Sequence, residues 1–107
     1  MMETKDNASG AWRPNELAAA RQQINQIDDQ IVKLLAQRFD AVTKVNEAKQ
    51  SADLPVMDQG REDQVLDRVT NKDPNPETHV YMRQIFETIM KNSRDYQTHL
   101  TNTDSNH

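Results

Sequence analysis

The chain of 107 residues has no cysteine, only two glycines and few aromatic side chains, namely one Trp, two Tyr and two Phe. The absence of cysteine excludes a disulfide framework and a thiolate metal site. Two glycines are too few for a glycine-rich phosphate-binding loop. No apolar run approaches the ~20 residues that span a membrane, and the first fifteen residues lack the apolar middle of a signal peptide. We therefore expect a cytoplasmic protein without a membrane segment.

Charge and histidine content argue against further classes of function. The formal net charge is −4 at pH 7, which argues against a nucleic-acid-binding protein that relies on bulk electrostatics. The three histidines, His79, His99 and His107, have no ligand-like spacing and no acidic cluster beside them, so we expect no metal and no cofactor. No nucleophile–base pair is recognisable either. An enzyme built on this sequence would work through binding and electrostatics.

The longest uninterrupted pattern runs from Glu16 to Lys49, without proline or glycine. Its apolar residues recur at i, i+3 and i+7, which predicts one face of a long amphipathic helix. The ten positions of this apolar stripe are Leu17, Ala20, Ile24, Ile27, Ile31, Leu34, Arg38, Ala41, Val45 and Ala48. Arg38 is the exception, and burying a guanidinium is costly unless a negative group meets it. A buried ion pair and a stem that reaches solvent remain alternatives for Arg38.

The length of this helix predicts an assembly. Counting Glu16 through Lys49 gives 34 residues, or roughly 51 Å at ~1.5 Å per residue. A compact chain of this size would be only ~34 Å across, from a radius of gyration of ~13 Å. The apolar stripe would extend beyond the compact body that one chain can form. A second copy of the chain is the simplest partner that could cover it. We expect an obligate, intertwined homodimer.

Two further helices follow, and no strand pattern occurs. Leu54-Pro55 ends the first helix, and Asp58 is a good N-cap for a second helix over about Gln59 to Thr70. A third helix begins near Pro76 or Glu77 and runs to about His99. With 35% hydrophobic and 28% charged residues, the composition suits a helical bundle with thin apolar stripes.

The predicted fold is therefore all-α, with a long, a short and a medium helix per chain. We expect one domain over residues 15–100. Residues 1–14 are predicted as a disordered or loosely docked arm, and residues 101–107 as a frayed tail.

Polar side chains at positions that face the predicted core, or next to it, mark a candidate binding site. They are Arg38, Lys49, Arg61, Glu62, Ser93 and Gln97. Cations with one carboxylate and two neutral hydrogen-bonding groups suit a small dianionic ligand that carries hydroxyl groups. Arg21 lies 17 residues before Arg38, roughly 25 Å along the helix, and would reach the partner's site in an antiparallel dimer.

These residues match a known family in order and spacing. The matching stretches are Leu17 to Gln50, PVMDQGRE from Pro55 to Glu62, and the pair Ser93-x-x-x-Gln97. Over about residues 16–98, the chain resembles an all-helical chorismate mutase of the AroQ class. The resemblance implies an intertwined homodimer of three-helix chains, in agreement with the length argument.

The resemblance also implies how the substrate's carboxylates are bound. Arg21 would hold one carboxylate in the partner's site, and Arg38 would bind the other. Ser93 would assist at the ring carboxylate, and Arg61 would line the pocket. Arg94 departs from the expected pattern, because a less polar residue is expected beside Ser93.

The remaining implied roles concern the bond that breaks and the ring hydroxyl. Lys49 and Gln97 would donate hydrogen bonds to the ether oxygen, and Lys49 would also touch a carboxylate. Glu62, with the backbone near Asp58, would hold the hydroxyl. The catalytic residues implied by the resemblance are thus Arg38, Lys49, Glu62 and Gln97.

The reaction implied is the unimolecular [3,3] rearrangement of chorismate to prephenate in phenylalanine and tyrosine biosynthesis, which needs no cofactor. One alternative is an isochorismate pyruvate lyase on the same scaffold, against which Glu62 argues. The other is a non-catalytic helical dimerisation module, in which Arg38, Ser93 and Gln97 are satisfied core polar groups.

Overall fold

The computed structural model describes residues 14–105, which form helices joined by two short connections. Helix α1 spans Pro14–Ser51 and helix α2 spans Gln59–Lys72. A short 3-10 helix, Pro76–Thr78, leads into helix α3, His79–Ser105. Within residues 14–105 no strand is present, and no helix combines the length and apolar composition that crossing a membrane requires. The all-α prediction of a long, a short and a medium helix is confirmed.

The helix ends differ from the predictions by a few residues. Helix α1 begins at Pro14, where proline is favoured because its missing N–H would be unpaired in any case. Helix α3 continues to Ser105 rather than ending near His99. The polar sequence after Leu100 contains no proline or glycine that would stop it. The predicted N-terminal arm, apart from Pro14, and the last two residues of the predicted tail lie outside the described residues.

Helix α1 ends in a Schellman motif that prediction from Pro55 alone did not identify. The N–H of Leu54 donates to the carbonyl of Lys49 at 2.7 Å, and the N–H of Asp53 donates to that of Gln50 at 3.2 Å. Asp53 has a φ of 55°, in the left-handed region that usually takes glycine here. The motif satisfies the carbonyl of Lys49, which fixes the end of the helix just beyond that residue.

Helix α2 begins at the N-cap that the sequence predicts. The Asp58 carboxylate accepts a hydrogen bond from the N–H of Arg61 at 3.0 Å. At the other end of the helix, Asp73 accepts from the N–H of Asn75 and from the Thr78 hydroxyl. These bonds order the turn that leads into α3.

The described residues fall into two compact units, divided between Gln37 and Arg38 within α1. In the unit from Arg38 onward, α2 packs on α3 through a small apolar core. Its members are Val65, Leu66, Val69 and Met90, with Phe86 packed against them. Burying such a side chain contributes ~1.5–3 kcal/mol each.

The unit that ends at Gln37 contains the first part of α1, where the side chains of the apolar stripe are exposed. Within this unit, the exposed members of the apolar stripe include Leu17, Ile24, Ile27, Ile31 and Leu34, with 38% to 61% of their surface accessible. Such a continuous apolar face on a helix is typical of a surface that another chain covers.

Candidate functional site

One pocket in the unit from Arg38 onward gathers most of the predicted site residues. It has a volume of about 260 Å³, just below the ~300–1,000 Å³ of usual ligand pockets. The end of α1, the segment before α2, the first turns of α2 and the middle of α3 form its wall. The predicted residues that line it are Arg38, Lys49, Asp58, Arg61, Glu62, Ser93 and Gln97.

Arg38 is held from α3 by Ser93. The Arg38 guanidinium donates to Ser93 Oγ, and the Ser93 hydroxyl donates in turn to the carbonyl of Ile89 at 2.9 Å. Ser93 is buried, whereas Arg38 is half-buried and lines the pocket. Because one of five guanidinium donors is used in this contact, the others remain for a carboxylate. The unusual arginine of the apolar stripe is therefore oriented by a hydroxyl and has no carboxylate partner within the described residues.

The electrostatics around Arg38 favour an anion. Burial lowers the pKa of Arg38, and the nearby charges of Arg61 and Arg68 lower it further. All three effects destabilise the guanidinium charge, so an anion bound beside Arg38 would oppose them. Arg68 was not among the predicted residues. It lies seven residues after Arg61, two helical turns along the same face of α2, and this spacing is the signal that would have revealed it.

Lys49 and Gln97 meet at the end of α1. The Lys49 ammonium donates to the carbonyl of Val56 at 2.7 Å and to Gln97 Oε1 at 3.5 Å. Since an ammonium can only donate, it faces the oxygen of the amide and leaves the Gln97 nitrogen free to donate elsewhere. Lys49 keeps one of its three N–H donors as well. Both residues line the pocket, and Gln97 is buried.

Glu62 is paired with a residue that the sequence marked as a departure. Arg94 approaches both carboxylate oxygens of Glu62 through a single guanidinium nitrogen, with a distance of 2.6 Å to Oε2. Glu62 follows the Asp58 N-cap, and its N–H donates to the carbonyl of Asp58 at 3.0 Å. The carboxylate is thus placed at the start of α2 by the cap and is oriented by α3.

A buried polar contact beside the site was not predicted. Asn46 is only 2% exposed, and its Oδ1 lies 3.3 Å from the hydroxyl oxygen of Thr101, which also lies 2.9 Å from the carbonyl oxygen of Gln97. Gln50 donates to the same hydroxyl at 3.2 Å. This contact joins the last turns of α1 to the part of α3 beyond Gln97. An Asn inside a helix, where its propensity is poor, is the only sequence signal for it.

One of the predicted site residues, Arg21, lies outside this pocket. Arg21 is an exposed residue of α1 in the unit that ends at Gln37 and does not line the pocket. Across the part of the chain that the structure describes, His, Asp and Glu side chains nowhere gather in threes as a metal site would need.

The pocket is suited to a small, doubly charged anion. Four cations line it against two carboxylates, and one of these carboxylates, that of Glu62, is already paired; the six residues are Arg38, Lys49, Arg61, Arg94, Asp58 and Glu62. Ala41 and Val45, which also line the pocket, are exposed, so the pocket is open on this side in a single chain. Hydrogen-bond donors and fixed charges are present, but among the described residues that line the pocket no group is arranged as a nucleophile with its base.

Comparison with known proteins identifies the family of the chain. Residues 20–98 match the model of the family described as chorismate mutase type II. The chain belongs to this family, which places it among enzymes of the isomerase class.

Two relatives support this assignment. A chorismate mutase of Methanocaldococcus jannaschii is 30% identical over 84 residues, which are 77% of this chain and 84% of that protein. A bifunctional chorismate mutase/prephenate dehydratase of Buchnera aphidicola is 37% identical over 90 residues. That match covers 82% of this chain but only 23% of the Buchnera protein.

Proposed function

We propose that the chain converts chorismate to prephenate in phenylalanine and tyrosine biosynthesis. The observation that carries this proposal is the pocket itself. In a member of the chorismate mutase type II family, it brings together Arg38, Lys49, Glu62 and Gln97. The proposed reaction is a unimolecular [3,3] rearrangement, in which a C–O bond breaks as a C–C bond forms, so no proton has to be transferred.

Binding would select the reactive conformation of the substrate. Chorismate carries two carboxylates, and its enolpyruvyl arm must lie over the ring before the new bond can form. Arg38, oriented by Ser93 and destabilised by neighbouring cations, would bind one carboxylate. The partner subunit's Arg21 would bind the other. Holding both carboxylates converts a flexible molecule into a near-attack conformer.

Stabilisation of the transition state would come from two donors. As the C–O bond breaks, negative charge develops on the ether oxygen. The free N–H of Lys49 and the amide N–H of Gln97 would donate to this oxygen more strongly than in the ground state. Each ~1.36 kcal/mol of such selective stabilisation raises the rate about tenfold.

Glu62 would accept a hydrogen bond from the ring hydroxyl, with the backbone near Asp58 beside it. This role favours the mutase over the second candidate, an isochorismate pyruvate lyase on the same scaffold. A carboxylate at the start of α2 suits a substrate whose hydroxyl lies at that end of the ring.

Two exposed surfaces support an intertwined homodimer. The apolar stripe is uncovered in the unit that ends at Gln37, and the pocket is open beside Ala41 and Val45, which belong to the same stripe. A second copy packed along the stripe would cover both surfaces, and it would also supply the partner subunit's Arg21. A dimerisation module without activity would explain the covered stripe but not the cation-lined pocket.

The direct test of the activity is to incubate the purified chain separately with chorismate and with isochorismate. We expect prephenate from chorismate and no pyruvate release from isochorismate. Pyruvate from isochorismate without prephenate from chorismate would favour the lyase. No turnover of either substrate by a folded dimer would leave the dimerisation module as the better explanation.

The test of assembly uses a matched pair of substitutions on α1. Ile31→Lys places a charge in the apolar stripe, whereas Ala36→Lys adds the same charge on the opposite, polar side of the helix. We expect Ile31→Lys to abolish the dimer in sedimentation equilibrium and to reduce helix content, and Ala36→Lys to leave both unchanged. A folded, active monomer at low concentration would contradict the intertwined dimer.

A further inference from the structure

The ion pair between Arg94 and Glu62 differs from the other ion pairs described in residues 14–105. Its side chains are 30% and 16% exposed. The pair of Lys91 with Asp95 is 66% and 62% exposed, and exposed pairs of this kind contribute little to stability. A partly buried pair must instead offset the cost of removing two charges from water. Stability alone is thus a poor explanation for the Arg94–Glu62 pair.

The position of the pair suggests a role in the site. Both residues line the pocket, where the carboxylate of Glu62 shares a small volume with Arg38, Lys49 and Arg61. A carboxylate without a partner would be drawn towards one of these cations. The Glu62 carboxylate would then form an ion pair with a cation that is needed to bind a carboxylate of the substrate.

The geometry of the pair leaves Glu62 able to bind a ligand. One guanidinium nitrogen of Arg94 approaches both carboxylate oxygens. An ionised carboxylate offers about four lone-pair positions, so roughly two remain for a hydroxyl. Arg94 therefore fixes the direction of the Glu62 carboxylate without occupying all of its acceptor positions.

We propose that Arg94 is a positioning residue, which holds Glu62 towards the substrate hydroxyl and away from the cations that bind the substrate's carboxylates. The inference rests on the proposed function, because it assigns Arg94 a part in that same reaction. Arg94, on α3, would thus act on the substrate only through the carboxylate of Glu62, on α2.

The test is a double-mutant cycle with separate measurement of kcat and KM. Arg94→Met should raise KM about tenfold, the size of coupling expected through one charged hydrogen bond. It should change kcat less than about threefold, since hydroxyl binding is shared by the ground state and the transition state. Arg94→Lys should restore most of the lost affinity, because it returns a cation to Glu62.

The second arm of the cycle removes the carboxylate. In a Glu62→Gln background, Arg94→Met should change KM less than about twofold, since Arg94 then has no carboxylate to hold. This comparison also stands if Arg94→Met alone fails to fold, because the double variant leaves no unpaired charge. Lys91→Met removes a cation of the exposed pair on the same helix and should leave kcat and KM unchanged.

The outcomes separate this inference from the proposed function. An inactive parent chain would overturn both. With an active parent, an equally large rise in KM from Arg94→Met in the presence and absence of the Glu62 carboxylate would mean that Arg94 contacts the substrate directly. That result would overturn the positioning role alone, as would an Arg94→Met variant with unchanged KM.

Discussion

The ammonium of Lys49 lies 3.5 Å from Gln97 Oε1, and this contact orients the amide. The oxygen faces a group that can only donate, so the nitrogen remains as a donor at the pocket wall. Within residues 14–105, the Gln97 nitrogen donates no hydrogen bond to another side chain or to the backbone. An amide with its oxygen occupied and its nitrogen free is the arrangement that donation to an ether oxygen requires.

Replacing Gln97 by glutamate should make activity dependent on pH. Only the protonated carboxyl has a hydrogen to donate, while the ionised form presents lone pairs to an oxygen that gains negative charge. We expect Gln97→Glu to have a low kcat/KM at neutral pH and to recover as the pH falls. The measurement is the profile of kcat/KM against pH, compared with a flatter profile for the parent.

A variant without a titratable group provides the control. Gln97→Met keeps the approximate length of the side chain but cannot donate, so it should lose activity at every pH at which the chain is folded. If Gln97→Glu were equally active at neutral and mildly acidic pH, Gln97 would not be the ether donor.

Acid should weaken the fold through Asp73, at the turn between α2 and α3. The hydrogen bond from Thr78 lowers the pKa of Asp73 most, and the backbone N–H of Asn75 lowers it further, although burial opposes them. Because the folded pKa lies below the unfolded pKa of ~3.9, this contribution to stability is complete above that pH. It is lost as the pH falls through the folded pKa.

Thr78→Val should therefore lower the free energy of unfolding most near neutral pH. The difference in this free energy between the variant and the parent should become smaller below about pH 4. Urea unfolding at fixed protein concentration, repeated across pH, measures this difference. Thr88→Val removes a hydroxyl that bonds only the carbonyl of Gln84, so its effect should not vary with pH. A constant difference for Thr78→Val as well would rule out the linkage to Asp73.

Asp53→Gly should stabilise the chain. Asp53 has a φ of 55°, and relief of left-handed strain in a non-glycine residue is worth about 0.5–1 kcal/mol. Ser51→Gly, two residues earlier but still helical, should destabilise the chain by a similar amount. Asp53→Asn separates the loss of charge at the helix end from the backbone effect. Lower stability of Asp53→Gly in thermal unfolding would contradict the Schellman assignment.

The helices, and the candidate residues that line the pocket, could be predicted because their signals are local or periodic. Asp58 as an N-cap follows from its place before Gln59, and Arg38 stands out because it interrupts an apolar stripe. Spacing along one helix relates Arg38 to Lys49, and spacing along α3 relates Ser93 to Gln97. The resemblance to a known family implies that these residues belong to one site.

What could not be predicted depends on contacts between elements. The sequence marks Arg94 only as a departure from the family pattern, because nothing in it indicates that α3 places this residue beside Glu62. Asn46 is buried and contacts Thr101, a residue that the sequence predicts in a frayed tail. The Schellman motif depends on the left-handed conformation of Asp53, which glycine would have signalled and aspartate did not.

Removing either main cation should nearly abolish catalysis. Arg38→Ala and Lys49→Ala each leave substrate charge unmatched in the pocket, and we expect losses in kcat/KM on the order of 10²-fold or more. Lys44→Ala removes an exposed cation of α1 that does not line the pocket, and it should have no such effect. A loss of less than about tenfold for Arg38→Ala would argue against its role in carboxylate binding.

Arg21→Ala should be as damaging as Arg38→Ala, although Arg21 does not line the pocket described within its own chain. If each site takes Arg21 from the partner subunit, a mixed dimer of Arg21→Ala and Arg38→Ala chains has one site that lacks both arginines and one that lacks neither. Unfolding and refolding the two inactive chains together should therefore restore about a quarter of the parent's activity, since half the dimers are mixed and each has one intact site of two. Mixed dimers that form but stay inactive would show that Arg21 does not act across the dimer.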